Sequence, residues 1–267
     1  MGISLSEENF DIEPQRFSER RRLRKIKDSE LFEVVEEVFD YRTLMALYDL
    51  LNRGVIWKMY GAVASGKEAR IYWAEDKHGR DLAVKIFLVS TAEFRKSRLI
   101  YIEGDPRFKR VSGKIRDIVR VWCSKEFRNL QRAHDVGVRV PEPIAYKENI
   151  LVMEFIDAGI RGVPAPLLKE APPQDPNEAY KWVISSIEAL YLKGKLIHAD
   201  LSEYNILNKG EDLYIIDWGS AVHINHPHAD EFLLRDLRNV TRYFERLKVD
   251  VEDPEDVYKK LKSSLQQ

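Results

Sequence analysis

Ile197-His198-Ala199-Asp200-Leu201-Ser202-Glu203-Tyr204-Asn205-Ile206-Leu207, followed by Tyr214-Ile215-Ile216-Asp217-Trp218-Gly219, is the stretch on which the reading of this chain turns. The first run is an H-x-D-x-x-x-x-N element; the second is an apolar strand that ends on another aspartate, and that order points to phosphoryl transfer. The spacing has a physical reason. A loop carrying Asp200 and Asn205 can aim a carboxylate at the attacking hydroxyl or water while the amide reaches a metal on the phosphates. Asp217, at the end of its strand, holds the other face of that metal. These oxygen donors suit hard Mg²⁺, which keeps several waters and takes substrate phosphates as its other ligands, with Mn²⁺ as a substitute. His198 reads as a structural hydrogen-bonding residue, because Asp200 already serves as the base.

Working outward, Leu82-Ala83-Val84-Lys85 matches the V-A-I-K pattern of a third strand, where an ammonium neutralises phosphate charge. Alone, a lysine on a strand is more often a solvated edge residue. Its place in the order changes the odds: Lys85, then a helix with Glu126, then Asp200, Asn205 and Asp217. Glu126 is the candidate carboxylate to pair Lys85; the alternative is an exposed helix glutamate beside Lys125 and Arg128. Gly61-Ala-Val-Ala-Ser65-Gly66-Lys67-Glu68-Ala69 takes the position of a phosphate-covering loop. Its small residues permit close approach of backbone N–H groups, and Ser65 and Lys67 add a hydroxyl and a cation. The longer G-x-x-x-x-G-K-S/T pattern is absent, so a P-loop reading fails.

The chain has 267 residues, enough for two lobes with separate cores. Strand-like runs at 55–60, 69–74 and 81–87 form a meander, a charged helix is expected at about 124–136 with Gly137 as its C-cap, and strands return at 143–146 and 150–156. Helices follow at about 177–193, closed by Gly194, then at 229–247 and 254–265, with shorter helices at 28–52. This is an α+β, two-lobed architecture: an N-lobe of antiparallel sheet plus helix and a reduced helical C-lobe. The expected parts are a basic arm and helices over 1–53, an N-lobe over 54–153 with an insert at about 90–122, a hinge at 154–157 and a C-lobe over 158–267.

Charged residues make up 33% of the chain, above the usual quarter, and the formal net charge is −1. One cysteine, Cys123, excludes an intramolecular disulfide and points to a reducing, cytoplasmic location. No apolar run approaches membrane-spanning length. Arg16 to Lys27 is a basic segment that could meet RNA phosphates, although a solvated arm is the simpler reading because aromatic residues do not alternate with its cations as stacking platforms, Phe17 standing alone. His223, His226 and His228 with Asp230 suggest zinc only weakly, since Pro227-His228-Ala229 reads as a helix start.

Ser65-Gly-Lys-Glu-Ala, Ser90-Thr-Ala-Glu-Phe94, Tyr101-Ile-Glu-Gly-Asp-Pro-Arg-Phe108, Met153-Glu-Phe-Ile156, Ile197 to Asn205 and His226-Pro-His-Ala229 together resemble the RIO family of atypical serine/threonine protein kinases, over about residues 35–250. The insert from Ser90 to about Trp122 is similar to the Rio-one subfamily, and Ser220 stands where the family commonly has Gln. The resemblance implies a protein-kinase-like fold. It implies ATP bound with Glu154 and Ile156 offering backbone groups to adenine and Met153 lining the pocket, with Lys85 on phosphates, Asp200 as base, and Asn205 and Asp217 on Mg²⁺. It further implies autophosphorylation, ATPase activity with Asp217 as a transient phosphoryl acceptor, and work on the small-subunit pre-ribosome.

Residues 218–267 hold no A-P-E element, so a reduced platform for peptide substrates is expected. The rivals are an ATPase-switched ribosome-assembly factor with little protein kinase activity, and an aminoglycoside-type small-molecule kinase, which shares the catalytic element but usually needs a larger C-terminal half.

Overall fold

The structure, a computed structural model, describes residues 39–88, 98–108 and 114–265. The basic segment at 16–27 and parts of the expected insert lie outside them. The chain divides into two compact units. One runs to Leu88 and takes in Ile144–Phe155; the other comprises Val89–Pro143 and the chain from Ile156 onward.

In the first unit, helix α1 (Tyr41–Asn52) starts where Asp40 Oδ1 accepts the N–H groups of Arg42 (3.0 Å) and Thr43 (3.2 Å). Its apolar face of Leu44, Ala46, Leu47, Leu50 and Leu51 packs on a five-stranded sheet. The strands are β1 (Lys58–Ser65), β2 (Ala69–Glu75), β3 (Asp81–Phe87), β4 (Pro143–Lys147) and β5 (Ile150–Glu154), in the spatial order β1-β2-β3-β5-β4. The first strand starts later than expected and runs through Ser65, so Gly61–Ser65 is strand rather than loop. The cause is its partner: Tyr72, Ile71 and Arg70 of β2 face Ala62, Ala64 and Ser65, with register shifts that absorb the small residues. Central β3 is buried from Leu82 to Phe87.

Asn149 ties this unit together from the β4–β5 turn. Its Nδ2 donates to Thr43 Oγ1 (2.9 Å) and Phe87 O (2.7 Å), and Thr43 Oγ1 donates to its Oδ1 (3.1 Å).

In the second unit, α2 spans Ile115–Asp135, longer at its start than the sequence suggested. Ile118, Val119, Trp122 and Cys123 carry the buried stripe of Leu130 and Ala133 back into what looked like insert. Helix α3 (Pro176–Ala189) continues into a π-helical turn, Leu190–Gly194. The left-handed residue that ends it is Lys195 (φ 50°), not the expected Gly194, because the widened turn carries the chain one residue further before Lys195 N–H returns to Leu190 O. Two small antiparallel pairs follow, β6 (Leu196–Ile197) with β9 (Val222–His223) and, between them in the chain, the hairpin of β7 (Ile206–Lys209) with β8 (Asp212–Ile215). Helices α4 (Ala229–Arg246) and α5 (Pro254–Leu265) complete the unit. No helix among the described residues is long and apolar enough to cross a membrane.

Thr43→Val leaves Asn149 Oδ1 buried without its hydroxyl donor, which is expected to cost about 1–3 kcal/mol. Urea unfolding of the full chain reads this, and an unchanged midpoint would contradict it.

Candidate active site

The loop between β6 and β7 carries the first expected site residues, all within the second unit. Ala199 is left-handed (φ 66°), a strained conformation for a residue with a Cβ. It is held from two sides. Asp236, wholly buried on α4, accepts the N–H groups of Ala199 (2.7 Å) and Leu201 (2.9 Å), one on each carboxylate oxygen. Arg235 hydrogen-bonds Ala199 O. Asp200, between those two amides, thus sits on a fixed backbone with its side chain at the surface.

Asn205 Nδ2 donates to Asp200 O (2.7 Å) and Asp200 Oδ2 (3.2 Å). Both partners are acceptors, which orients the amide and turns its oxygen away as a potential ligand atom. Although the residue is exposed overall, desolvation by the surrounding protein raises the Asp200 carboxyl, and the Asp217 charge adds to it. A raised carboxyl is a better proton acceptor near neutral pH.

Asp217 follows β8 in a left-handed turn (φ 63°). On its N-terminal side Ile216 N–H donates to Asn205 O (2.9 Å), and His198 Nε2 bonds Ile216 O at 3.0 Å. A carbonyl acceptor requires the proton on Nε2, and burial lowers the His198 pKa, so the ring is a neutral donor. This agrees with its reading as a structural residue. Gly219 meets Trp122 so closely that an added Cβ would lie 2.6 Å from the indole.

The donor set of Asn205 and Asp217, on two segments tied by the Ile216–Asn205 hydrogen bond, fits Mg²⁺. Among the described residues no group of three or more His, Cys, Asp or Glu could hold a metal unaided. A cation here would need further oxygen ligands, as Mg²⁺ on nucleotide phosphates has. His226 is occupied otherwise, with Nε2 against Glu103 O (3.0 Å), and α4 does begin at Ala229.

The remaining expected residues fall elsewhere. Ser65, Gly66 and Lys67 are exposed at the β1–β2 turn, which Gly66 N–H closes onto Ala69 O (2.9 Å), while Glu68 O accepts Leu88 N–H (2.8 Å). Gly66 has no left-handed φ, and an added Cβ would meet only Ala69 O at 3.6 Å. Nothing among the described residues demands glycine there, which suits a place reserved for close approach by a ligand. Lys85 is buried on β3 with its ammonium 5.1 Å from the Phe87 ring. Met153 and Glu154 pair with Ala83 and Leu82. Those residues belong to the first unit. Glu126, buried on α2, and Ile156, whose carbonyl accepts Ala165 N–H (2.8 Å), belong to the second. A ligand contact at Ile156 therefore falls first to its N–H.

Sequence reasoning missed Asp236, Arg235, Lys125 and Asn129. A signal was present: on α4, Asp236 falls in register with buried Phe232, Leu233, Leu237 and Val240, and on α2 Lys125 and Asn129 continue the stripe of Ile118 and Trp122. A polar residue on an apolar face must have a partner.

Comparison with known proteins identifies the family. A family model described as the RIO domain matches residues 70–257. The chain is 42% identical over 228 residues to the RIO-type serine/threonine-protein kinase Rio1 of Haloferax volcanii, covering 85% of this chain and 77% of that protein. The corresponding protein of Methanocaldococcus jannaschii is 42% identical over 224 residues (84% and 75%). Human serine/threonine-protein kinase RIO1 is 41% identical over 231 residues, but the match spans only 40% of its length. Among solved structures, the Rio2 kinase–ADP/Mg²⁺–phosphoaspartate complex from Chaetomium thermophilum aligns with a TM-score of 0.63 at 26% identity (82% of this chain, 66% of that one).

Burial pushes the Asp236 carboxyl from 3.8 up to about 7, against the two N–H groups and Arg235. An acid whose folded pKa is raised keeps its proton in the folded chain while the unfolded chain has lost it. Its contribution is therefore complete below pH 3.8 and falls as pH rises to about 7. The slope approaches about 1.4 kcal/mol per pH unit. Asp236→Asn is expected to remove that slope from the unfolding free energy between about pH 5 and 7, and an unaltered pH dependence would refute it.

Proposed function

The chain belongs to the RIO family of protein kinases, and on that premise we propose that it transfers the γ-phosphoryl group of ATP to a serine or threonine hydroxyl of a protein, its own chain included. The carrying observation is the loop from Ala199 to Asn205, which fixes the Asp200 backbone and orients the Asn205 amide beside an aspartate in a braced turn. Asp200 accepts the proton of the attacking hydroxyl while the bond to the leaving ADP oxygen breaks. Asn205 and Asp217 hold Mg²⁺, which when bound draws charge off the phosphates. Lys85 offers a cation to phosphates, and Ser65, Gly66, Lys67 and Glu68 form a turn suited to covering them. Met153, Glu154 and the Ile156 N–H serve the adenine.

A second outcome is supported by the phosphoaspartate in the Chaetomium Rio2 complex and by the short connection, residues 218–228, between Asp217 and α4. A carboxylate oxygen of Asp217 attacks the γ-phosphorus, ADP leaves, and water later hydrolyses the acyl phosphate. That ATPase cycle would suit a cytoplasmic factor that docks on the small-subunit pre-ribosome, with the basic segment at 16–27 on RNA. The small-molecule kinase reading loses ground to the family membership.

Incubation of the full chain with γ-labelled ATP and Mg²⁺ separates these outcomes. Label on acid-stable, hydroxylamine-resistant phosphoserine or phosphothreonine supports the kinase; hydroxylamine-sensitive label or free phosphate supports the aspartyl cycle; no turnover at all refutes both. Asp200→Ala is expected to cut transfer to a hydroxyl by about 10²–10⁴ with nucleotide binding retained, and full activity would sink the assignment. Gly66→Val should weaken ATP binding by about tenfold without lowering the unfolding midpoint; equal affinity would remove the β1–β2 turn from the site.

A further inference from the structure

The turn that follows Asp217 is held from its far side by groups that the phosphoryl-transfer reading does not use. Lys125 is wholly buried on α2, and its ammonium donates to the carbonyls of Gly219 (2.8 Å) and Ala221. One helical turn on, buried Asn129 donates through Nδ2 to the carbonyls of Trp218 (2.9 Å) and Ala221 (2.8 Å). Three of the four carbonyls directly after Asp217 thus end on two side chains of one helix. Between them Trp122 of the same helix lies against Gly219, leaving no room for a Cβ.

The chain of contacts goes further. Asn129 Oδ1 accepts from Arg107 Nη1 (2.7 Å), which fixes the amide so that Nδ2 faces the turn. Arg107 in turn donates to both oxygens of buried Asp105, at 2.9 and 2.7 Å. Arg98 stacks over the Trp122 ring at 4.6 Å. Segment 98–108 is therefore part of the same polar lattice.

A buried amine is costly to desolvate, and an apolar residue of the same length would pack there without that cost. Asp217, directly before the first of these carbonyls, holds a left-handed φ that persists only where surroundings over-determine it. We infer that Lys125 and Asn129 are positioning residues for the Asp217 carboxylate: they clamp residues 218–221, and Arg107 with Asp105 extends the clamp to segment 98–108. The inference rests on the proposed reading of Asp217 as a metal ligand. Residues that orient a ligand without touching the metal commonly change metal affinity by about 10–100-fold.

The test uses Mn²⁺, whose electron paramagnetic resonance signal reports binding without turnover. The full-length protein with ADP is titrated with Mn²⁺ as wild type, Asp217→Asn, Lys125→Met, Lys125→Gln and Asn129→Ala. Lys125→Met keeps length and loses the donors, whereas Lys125→Gln keeps an N–H donor. The expected result is about tenfold weaker Mn²⁺ binding in Lys125→Met and Asn129→Ala, with partial rescue in Lys125→Gln. The Mg²⁺ concentration for half-maximal ATP turnover should rise in parallel, while KM for ATP at saturating Mg²⁺ stays within about twofold, a split that general loosening of the fold would not produce. A wild-type site that is lost in Asp217→Asn but kept within about twofold in both Lys125→Met and Asn129→Ala would overturn the clamp alone. A wild type with no ADP-dependent site sensitive to Asp217 would overturn the metal reading and the clamp with it. If Lys125→Met does not fold, Asn129→Ala decides, because it leaves the buried lysine in place.

Discussion

Two peptide N–H groups, one on each side of Asp200, end on a single buried carboxyl, that of Asp236. The catalytic-loop geometry depends on this contact. A free loop would lose about 1–2 kcal/mol for each residue held in one backbone well, and Ala199 would not keep a left-handed φ unaided. The carboxyl answers both problems, because it accepts two donors that would otherwise be buried without partners. Arg235, its neighbour on α4, takes the carbonyl of the same Ala199. One helix therefore satisfies both backbone polar groups of one strained residue.

The aspartate turn repeats the solution with different chemistry. Asp217 lies between a β-strand that ends on the catalytic loop, through Ile216 and Asn205, and a turn whose carbonyls end on α2. Its left-handed backbone is held by hydrogen bonds on both flanks and by Gly219, which admits Trp122. Asp200 and Asp217, proposed to meet a ligand, are exposed, while Asp236, Lys125 and Asn129 beneath them are buried. Rigid buried supports under exposed donors are what preorganisation requires.

Much of the fold was legible in the sequence. The 81–87 strand and the 254–265 helix fall at the expected bounds because apolar periodicity and a helix-starting Pro254 are local signals. The errors have physical causes. Gly61–Ser65 reads as loop in isolation, yet pairing with β2 makes it strand; Gly194 looks like a helix stop, yet a π-helical turn moves the left-handed residue to Lys195. Helix α2 is longer than its charged centre suggested, since Ile115–Cys123 gains its meaning only from what it packs on.

For the site, the sequence by itself named the candidates for chemistry, Asp200, Asn205 and Asp217, because residue type and spacing are local properties. Their supports were beyond its reach. Asp236 bonds Ala199 across 37 residues, Asn129 bonds Trp218 across 89, and Lys125 bonds Gly219 across 94. A polar residue within an apolar stripe signals that a partner exists, but only tertiary packing decides which partner, because burial turns an ordinary hydrogen bond into one the fold cannot leave unmade.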